Sequence, residues 1–398
     1  MKLMGKRVLT VLMAVCLVAA FTVPAFAEDM PSAGTGPDVV EAPDKPNTPD
    51  VPDKPDIPEI PGAPDKPDIT PGFHHNANGS VTYYEKDGTL VKGWKTINGK
   101  TYYFSQKNGH MVKGWKVLNS KWYYFNKNTG AMFKGFHKIG NFKYYFNPKT
   151  GVMFKGLHKI GNEKYYFEKK NGRMLTGLVK RNGKVYNINN KGQVQRIIYG
   201  NKKAIALTYD DGPAEGTQSI VNTLKANDSV ATFFVVGNRA GIYPESIKAA
   251  AKAGCQIASH TYSHPWLSDL SSSEIKSQIR SSVTAIKKRS GKAPTVCRTP
   301  GGENTATIRN SVGMPIILWS IDTRDWATRD AGATYRSVIN NASDGDIVLM
   351  HDLHYSTAVA SKRIIPKLRK MGFQLCTVEE LALLKGVKLK AGHVYSSF

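Results

Sequence analysis

A step of 21 residues governs part of this chain. Gly-aromatic pairs fall at Gly93-Trp94, Gly114-Trp115 and Gly135-Phe136, and the step continues as Gly156-Leu157 and Gly177-Leu178. A Tyr-Tyr-Phe run keeps the same step at 102–104, 123–125, 144–146 and 165–167, and turn glycines recur at Gly88, Gly109, Gly130, Gly151 and Gly172. A period of this length means stacked units, none of which buries its apolar side without a neighbour. Short aromatic runs bounded by Asn-Gly or Thr-Gly read as β-hairpins. Residues 72–192 are therefore expected to form an all-β hairpin solenoid with aromatics packed between successive turns.

Charge follows the same boundary. Residues 73–198 hold 24 Lys+Arg against 4 Asp+Glu, which is +20 of the chain's net +24. Such a surface fits a polyanion: nucleic acid, an anionic wall polymer or a membrane face. The N-terminus narrows the choice. Lys2, Lys6 and Arg7 precede an apolar run from Val8 to Val23 and an Ala25-Phe26-Ala27 site, so 1–27 reads as a secretory signal peptide cleaved after Ala27. The apolar run is short of the ~20 residues that span a bilayer, so no transmembrane segment is expected after cleavage. Export removes nucleic acid from the partners.

Residues 28–72 repeat Pro-Asp-Lys-Pro at 43–46, 52–55 and 64–67, the composition of an extended linker. After cleavage three cysteines remain, Cys255, Cys297 and Cys376, each in an apolar context, and they read as small buried hydrophobes. A Cys255–Cys297 bridge stays open.

The repeats resemble the cell-wall-binding repeats of Gram-positive surface proteins, the class that includes choline-binding modules. The resemblance implies wall contact through Trp94, Trp115, Trp122, Tyr103 and Tyr124, and with the charge it implies a teichoic-acid-like anionic polymer as partner. It places the protein outside a Gram-positive-type bacterium, attached to the wall. Phe136, Leu157 and Leu178 stand at the first Trp position in later repeats, so choline recognition by an aromatic cage stays open, as does a purely structural role for these rings.

From Asn201 the pattern changes to apolar strands at 203–209, 231–237, 255–259, 295–298, 315–321, 346–351 and 373–378, separated by amphipathic stretches. One of these, Glu274–Ser290, sets Ile275, Ile279, Val283 and Ile286 on one face. Alternation of this kind implies a parallel sheet, doubly wound or closed into a barrel. The polar residues collect just after the strands: Asp210 and Asp211, His260 and His264, Arg298, Asp325, and His351. In α/β folds that is the end where active sites are built. Adjacent aspartates at a strand end need a compensating charge unless Asp211-Gly212 is only a turn. Two histidines four apart with a carboxylate make a three-ligand set with one position open, suited to Zn²⁺, with Co²⁺ or another first-row ion as the alternative.

Residues 201–385 resemble the NodB-homology polysaccharide deacetylases, carbohydrate esterase family four, with the five family motifs in order. The resemblance implies a distorted (β/α)7 barrel over 199–398. It implies Asp210 as catalytic base, Asp211, His260 and His264 as ligands of a divalent metal, His351 as general acid, Arg298 as the residue holding the base, and Asp325 as support of the acid. Trp326 and Leu349 match pocket-lining residues, and Gly301 matches a backbone oxyanion donor. Two positions depart from the pattern: Tyr209 replaces a usual Phe, and Gly301 a common Tyr. The expected activity is hydrolysis of N-acetyl groups on peptidoglycan N-acetylglucosamine. N-acetylmuramic acid, chitin oligomers, O-acetyl xylan, or a catalytically silent wall-binding protein are the alternatives.

Overall fold

The computed structural model describes residues 69–398. The signal-peptide reading and nearly all of the linker lie outside the described residues.

The 21-residue step produces one antiparallel hairpin per unit. The pairs are Gly72–His75 with Val81–Tyr84, Gly93–Ile97 with Lys100–Phe104, Gly114–Leu118 with Lys121–Phe125, Gly135–Ile139 with Phe142–Phe146, and Gly156–Ile160 with Glu163–Phe167. A three-stranded sheet, Gly177–Arg181, Lys184–Ile188 and Val194–Tyr199, closes the series. The last aromatic of each Tyr-Tyr-Phe run, Phe104, Phe125, Phe146 and Phe167, is fully buried. Methionines lock one unit to the previous one. The Met132, Met153 and Met174 amides donate to the Thr101, Trp122 and Lys143 carbonyls of the preceding hairpin, each at 2.8 Å. Their thioethers cover the turn glycines: at Gly151 a Cβ would lie 2.2 Å from the Met132 sulfur, and φ is +73°. Glycine at this step is favoured by the left-handed turn geometry, and the thioether of the preceding unit fills the space beside it.

All seven predicted strands of the second half appear in one parallel system. They are Ala204–Asp210, Thr232–Val235, Gln256–Ser259, a single bridging residue Cys297, the split pair Ile316–Ile317 and Ile321–Asp322, Ile347–His351, and Gln374–Leu375. Neighbours run from Ile321–Asp322 through Ile347–His351, Ala204–Asp210 and Thr232–Val235 to Gln256–Ser259, then by bridges Ser259–Cys297 and Cys297–Ile316 back to the split pair. The ring is thus closed, and the 316–322 segment closes it by bending. Its first part faces Cys297 and its second part faces Ile347–His351. The C-terminal strand Val394–Tyr395 pairs with Ile316–Ile317, and Ser397 bridges Asp346, filling the wedge that the bend opens. The distortion of the (β/α)7 barrel lies here and at Gln374–Leu375, which pairs only with the start of Ala204–Asp210.

Period-2 alternation sorts the strand residues into two layers. Ile205, Leu207 and Tyr209 pack outward with Phe233, Val348 and Met350 against helices Glu215–Ala226 and Tyr355–Lys370. The Tyr209 hydroxyl, absent from Phe, finds Ser361 Oγ at 3.0 Å, so the departure is accommodated. Ala204 and Ala206 face inward with Phe234, Ala258, Val296, Ile317 and Ile347. That inner core runs on into helix Val378–Lys385 and, through Val185 and Ile198, into the last hairpin sheet. Asn187 Nδ2 donates to the buried Glu380 at 3.0 Å, and Lys180 Nζ to the Leu384 carbonyl at 2.6 Å across the same seam. The predicted helix 274–290 spans Ser272–Ser290, capped by Ser271 with Glu274 and ended by Gly291. Cys255, Cys297 and Cys376 are free and buried, so the bridge left open above does not form. Among the described residues no helix is long and apolar enough to cross a membrane.

Candidate active site

The inward register of Ala204–Asp210 continues through Thr208 to Asp210, so the strand delivers a carboxylate into the barrel mouth. Small residues at 204 and 206 leave room beneath it, and Arg298 lies fully buried beside Asp210. Its Nη1 donates to Asp210 Oδ1 at 2.8 Å and to Thr208 Oγ1 at 2.7 Å. Nε and Nη2 donate to the Ile317 and Leu318 carbonyls at 2.9 and 2.8 Å, and the guanidinium lies 4.2 Å from the Phe234 ring centroid. A buried charge pair of this kind is tolerable because every arm is bonded.

Asp211 leaves the strand in the left-handed region, φ +70°, and its carboxylate lies against the third strand's loop. Thr261 and His264 in that loop are also left-handed, at +63° and +61°. Non-glycine residues in this region cluster where surrounding structure holds strain for function. Asp211 Oδ1 lies 3.4 Å from His260 Nε2 and 3.3 Å from His264 Nε2. The three ligand atoms lie within 4.8 Å of one another. His260 Nδ1 sits 2.7 Å from the Arg298 carbonyl, the bond that sets Nε2 free to ligate. Donor types, convergence and tautomer all fit a divalent cation.

The charges are distributed to match. Burial opposes ionisation of Asp211, but the bond to His260 and the charges of His260, His351 and His264 outweigh it and hold its pKa below the carboxylate range. Burial depresses His260, yet the Asp210 charge and the Asp211 contacts leave it raised; burial and the His260 charge lower His264.

His351 ends its strand opposite Asp210, in register with it. Its Nδ1 is 2.8 Å from Asp325 Oδ1, leaving Nε2 for the site. Asp325 is buried and also accepts from the His351 amide at 2.8 Å, the Trp326 amide at 2.9 Å and Thr357 Oγ1 at 2.6 Å. Burial pulls the imidazole down, but the Asp325 bond and the charges of Asp210, Asp325 and Asp211 raise it to about 9. Leu349 is buried on the same strand face as His351, and Trp326 is half-exposed on the neighbouring loop. Gly301, at φ +62°, is exposed on the loop after Arg298.

Sequence reading missed three supports. Thr208 shares Arg298 with Asp210, and strand alternation from Asp210 would have identified it. Thr357 holds Asp325 from the first turn of helix Tyr355–Lys370, and Arg329 Nη1 lies 2.6 Å from His354 Nδ1, tying the Trp326 loop to the His351 loop. Nothing in the local pattern signals either.

In the repeats, each hairpin's first aromatic meets two tyrosines. Trp94 is 5.0 Å from Tyr103 and 5.1 Å from Tyr123, and Trp115 is 4.9 Å from Tyr124 and 5.1 Å from Tyr144, all edge-on. Phe136 repeats the arrangement with Tyr145 and Tyr165 at 4.6 and 5.1 Å. The triad therefore persists one unit beyond the tryptophans. Trp122 stands outside it, 6.0 Å from Trp115.

A profile described as polysaccharide deacetylase matches residues 198–314, and one described as choline-binding repeat matches 91–134 and 133–177. A peptidoglycan-N-acetylglucosamine deacetylase of Listeria monocytogenes is 39% identical over 194 residues, 48% of this chain and 41% of the relative. A peptidoglycan-N-acetylmuramic acid deacetylase of Bacillus subtilis is 40% identical over 192 residues, with the same shares of 48% and 41%. The chain thus spans less than half the length of these two. A peptidoglycan-N-acetylglucosamine deacetylase of Bacillus cereus is 34% identical over 203 residues, 49% of this chain and 95% of the relative.

Proposed function

Because the chain belongs to the polysaccharide deacetylase family, we propose that it is a secreted, metal-dependent enzyme that removes the N-acetyl group from peptidoglycan N-acetylglucosamine. The observation that carries the reading is the division of two adjacent carboxylates, Asp210 bonded to a buried arginine and Asp211 turned toward two histidines.

Asp211, His260 and His264 would hold the cation, and Zn²⁺ suits the set, with Co²⁺ or another first-row ion as alternative. When bound, such an ion supplies Lewis-acid polarisation of the acetyl carbonyl and of the attacking water. Asp210 takes the proton of that water through its free oxygen while Arg298 fixes the other. The Gly301 amide offers a donor to the developing oxyanion. His351, kept protonated by Asp325, gives its Nε2 proton to the departing amine as the C–N bond breaks, leaving acetate and a free amino sugar. Leu349 and Trp326 provide the apolar lining.

Residues 1–27 act in export, 28–72 as linker, 73–198 as the wall-binding module and 199–398 as the enzyme. The module holds an anionic wall polymer through its lysines and the aromatic triads of Trp94 with Tyr103 and Trp115 with Tyr124, with Trp122 alongside. The identity to the Bacillus subtilis relative favours N-acetylmuramic acid as the second reading. Amine and acetate release from purified peptidoglycan, with and without chelator, tests the activity. Acid hydrolysis and sugar analysis then identify which amino sugar lost its acetyl group. Amine release unaffected by chelator would reject metal dependence.

A further inference from the structure

We propose that Trp266, laid over Gly301, forms a glycan subsite: an indole platform for the pyranose ring next to the one that reacts. The inference rests on the deacetylase reading of the site. Trp266 follows His264 by two residues, and Gly301 lies on the neighbouring barrel loop, the one that carries Arg298. A Cβ on Gly301 would fall 2.3 Å from Trp266 Cζ3 and 2.8 Å from Cη2, so the indole occupies the space a side chain at 301 would take. The arrangement is held from below. Glu303 Oε2 accepts from the Leu267 amide at 2.6 Å and the Ser268 amide at 3.2 Å, tying the Trp266 loop to the Gly301 loop. Leu267 itself is buried in a core with Ile275, Cys297 and Ile308.

Trp266 nevertheless stays 59% exposed. An indole held in place on the His264 loop yet left open to solvent has the form of a ligand contact. Its neutral, flat face suits the axial C–H surface of a pyranose, and its amphipathic ring tolerates the hydroxyls around it. Trp326, 48% exposed, follows the next strand around the ring, so a second exposed indole lies on the loop after the one that carries Gly301. The class of ligand is a glycan of at least two pyranose rings.

The test compares kcat/KM of the full chain on N-acetylglucosamine oligomers of two and five units. W266A is expected to lower the preference for the longer oligomer roughly three- to tenfold, the contribution of one aromatic contact, and W266F to restore most of it. G301A is expected to do the same by displacing the indole, and W266A/G301A to lose less than the product of the two single effects. Equal effects of W266A on both lengths, or multiplicative single effects, would overturn the subsite. If the wild type releases acetate from neither oligomer, the deacetylase reading fails instead. The subsite then stands or falls on calorimetric affinity for the pentamer, which W266A must weaken by the same factor; an unchanged affinity removes it.

Discussion

Asp325 grips His351 at two points, accepting from the ring Nδ1 and from the backbone amide of the same residue, each at 2.8 Å. The first bond supports a positive imidazole and the second fixes where that imidazole sits. In the metal-free protein, His351 is expected to titrate near about 9, and D325N to bring it down toward the ordinary 6.5. Imidazole NMR across pH 5 to 10 reads this directly, and an unshifted titration in D325N would detach the two residues. The same linkage acts on stability. The folded value lies above the unfolded one, so the contribution is complete below about pH 6.5 and is lost as pH rises through about 9. Urea midpoints at the two ends of that window should converge between wild type and D325N at the alkaline end.

Loss of Arg298 should cost the fold heavily, because the side chain is fully buried with every arm bonded. R298A leaves the buried Asp210 carboxyl without its guanidinium partner, and a destabilisation of about 3–5 kcal/mol is expected in denaturant unfolding. D210N keeps an acceptor for Arg298 and should stay folded while losing roughly 10²–10⁴ in turnover as the base disappears. Near-wild-type acetate release by D210N would take the base role from this residue.

Cation uptake should displace protons. Asp211 is held ionised and His264 neutral, while the charges of Asp210 and Asp211 favour a proton on His260. Zn²⁺ titrated into chelated protein is therefore expected to release protons, chiefly from His260. Calorimetry in buffers of different ionisation heat measures the number, and D210N should reduce it. Zero release would mean that His260 enters neutral.

His351→Ala separates chemistry from binding. Its ring contacts Asp325 and does not belong to the ligand trio, so the variant should bind Zn²⁺ with unchanged stoichiometry while turnover falls roughly 10²–10⁴-fold. Loss of both together would place His351 in the cation site.

Wall attachment should weaken with salt if the +20 of the repeats carries it. Sedimentation with purified walls, from about 0.05 to about 0.5 M salt, measures the charge contribution. W94A/W115A measures the aromatic triads at fixed salt. Binding that ignores ionic strength would reject the charge mechanism.

The sequence showed the hairpin units and the seven strands because both rest on periodicity, which sterics translate directly into structure. It placed Asp210, Asp211, His260, Arg298 and His351 at one end of the sheet because each ends or directly follows a strand. It did not show that Cys297 is the whole of one strand or that 316–322 divides in two, since closure of the ring, not local propensity, decides how many residues pair. Val394–Tyr395 is two residues long and carries no period to read. Glu303 bonding to the Leu267 amide, and Trp266 covering Gly301, join loops 35 or more residues apart, and loop direction leaves no trace in spacing.

The last hairpin sheet and helix Val378–Lys385 share one apolar interior, in which Val185 and Ile198 meet Leu381 and Leu384. A joint built this way behaves as a handle rather than a rope. If the repeats seat on the wall as proposed, the cleft would reach only the glycan that passes beneath it at one standoff and one angle. Coverage of a wall by such an enzyme would then depend on how often it lets go and lands again, so tighter attachment would slow the spread of modification instead of speeding it.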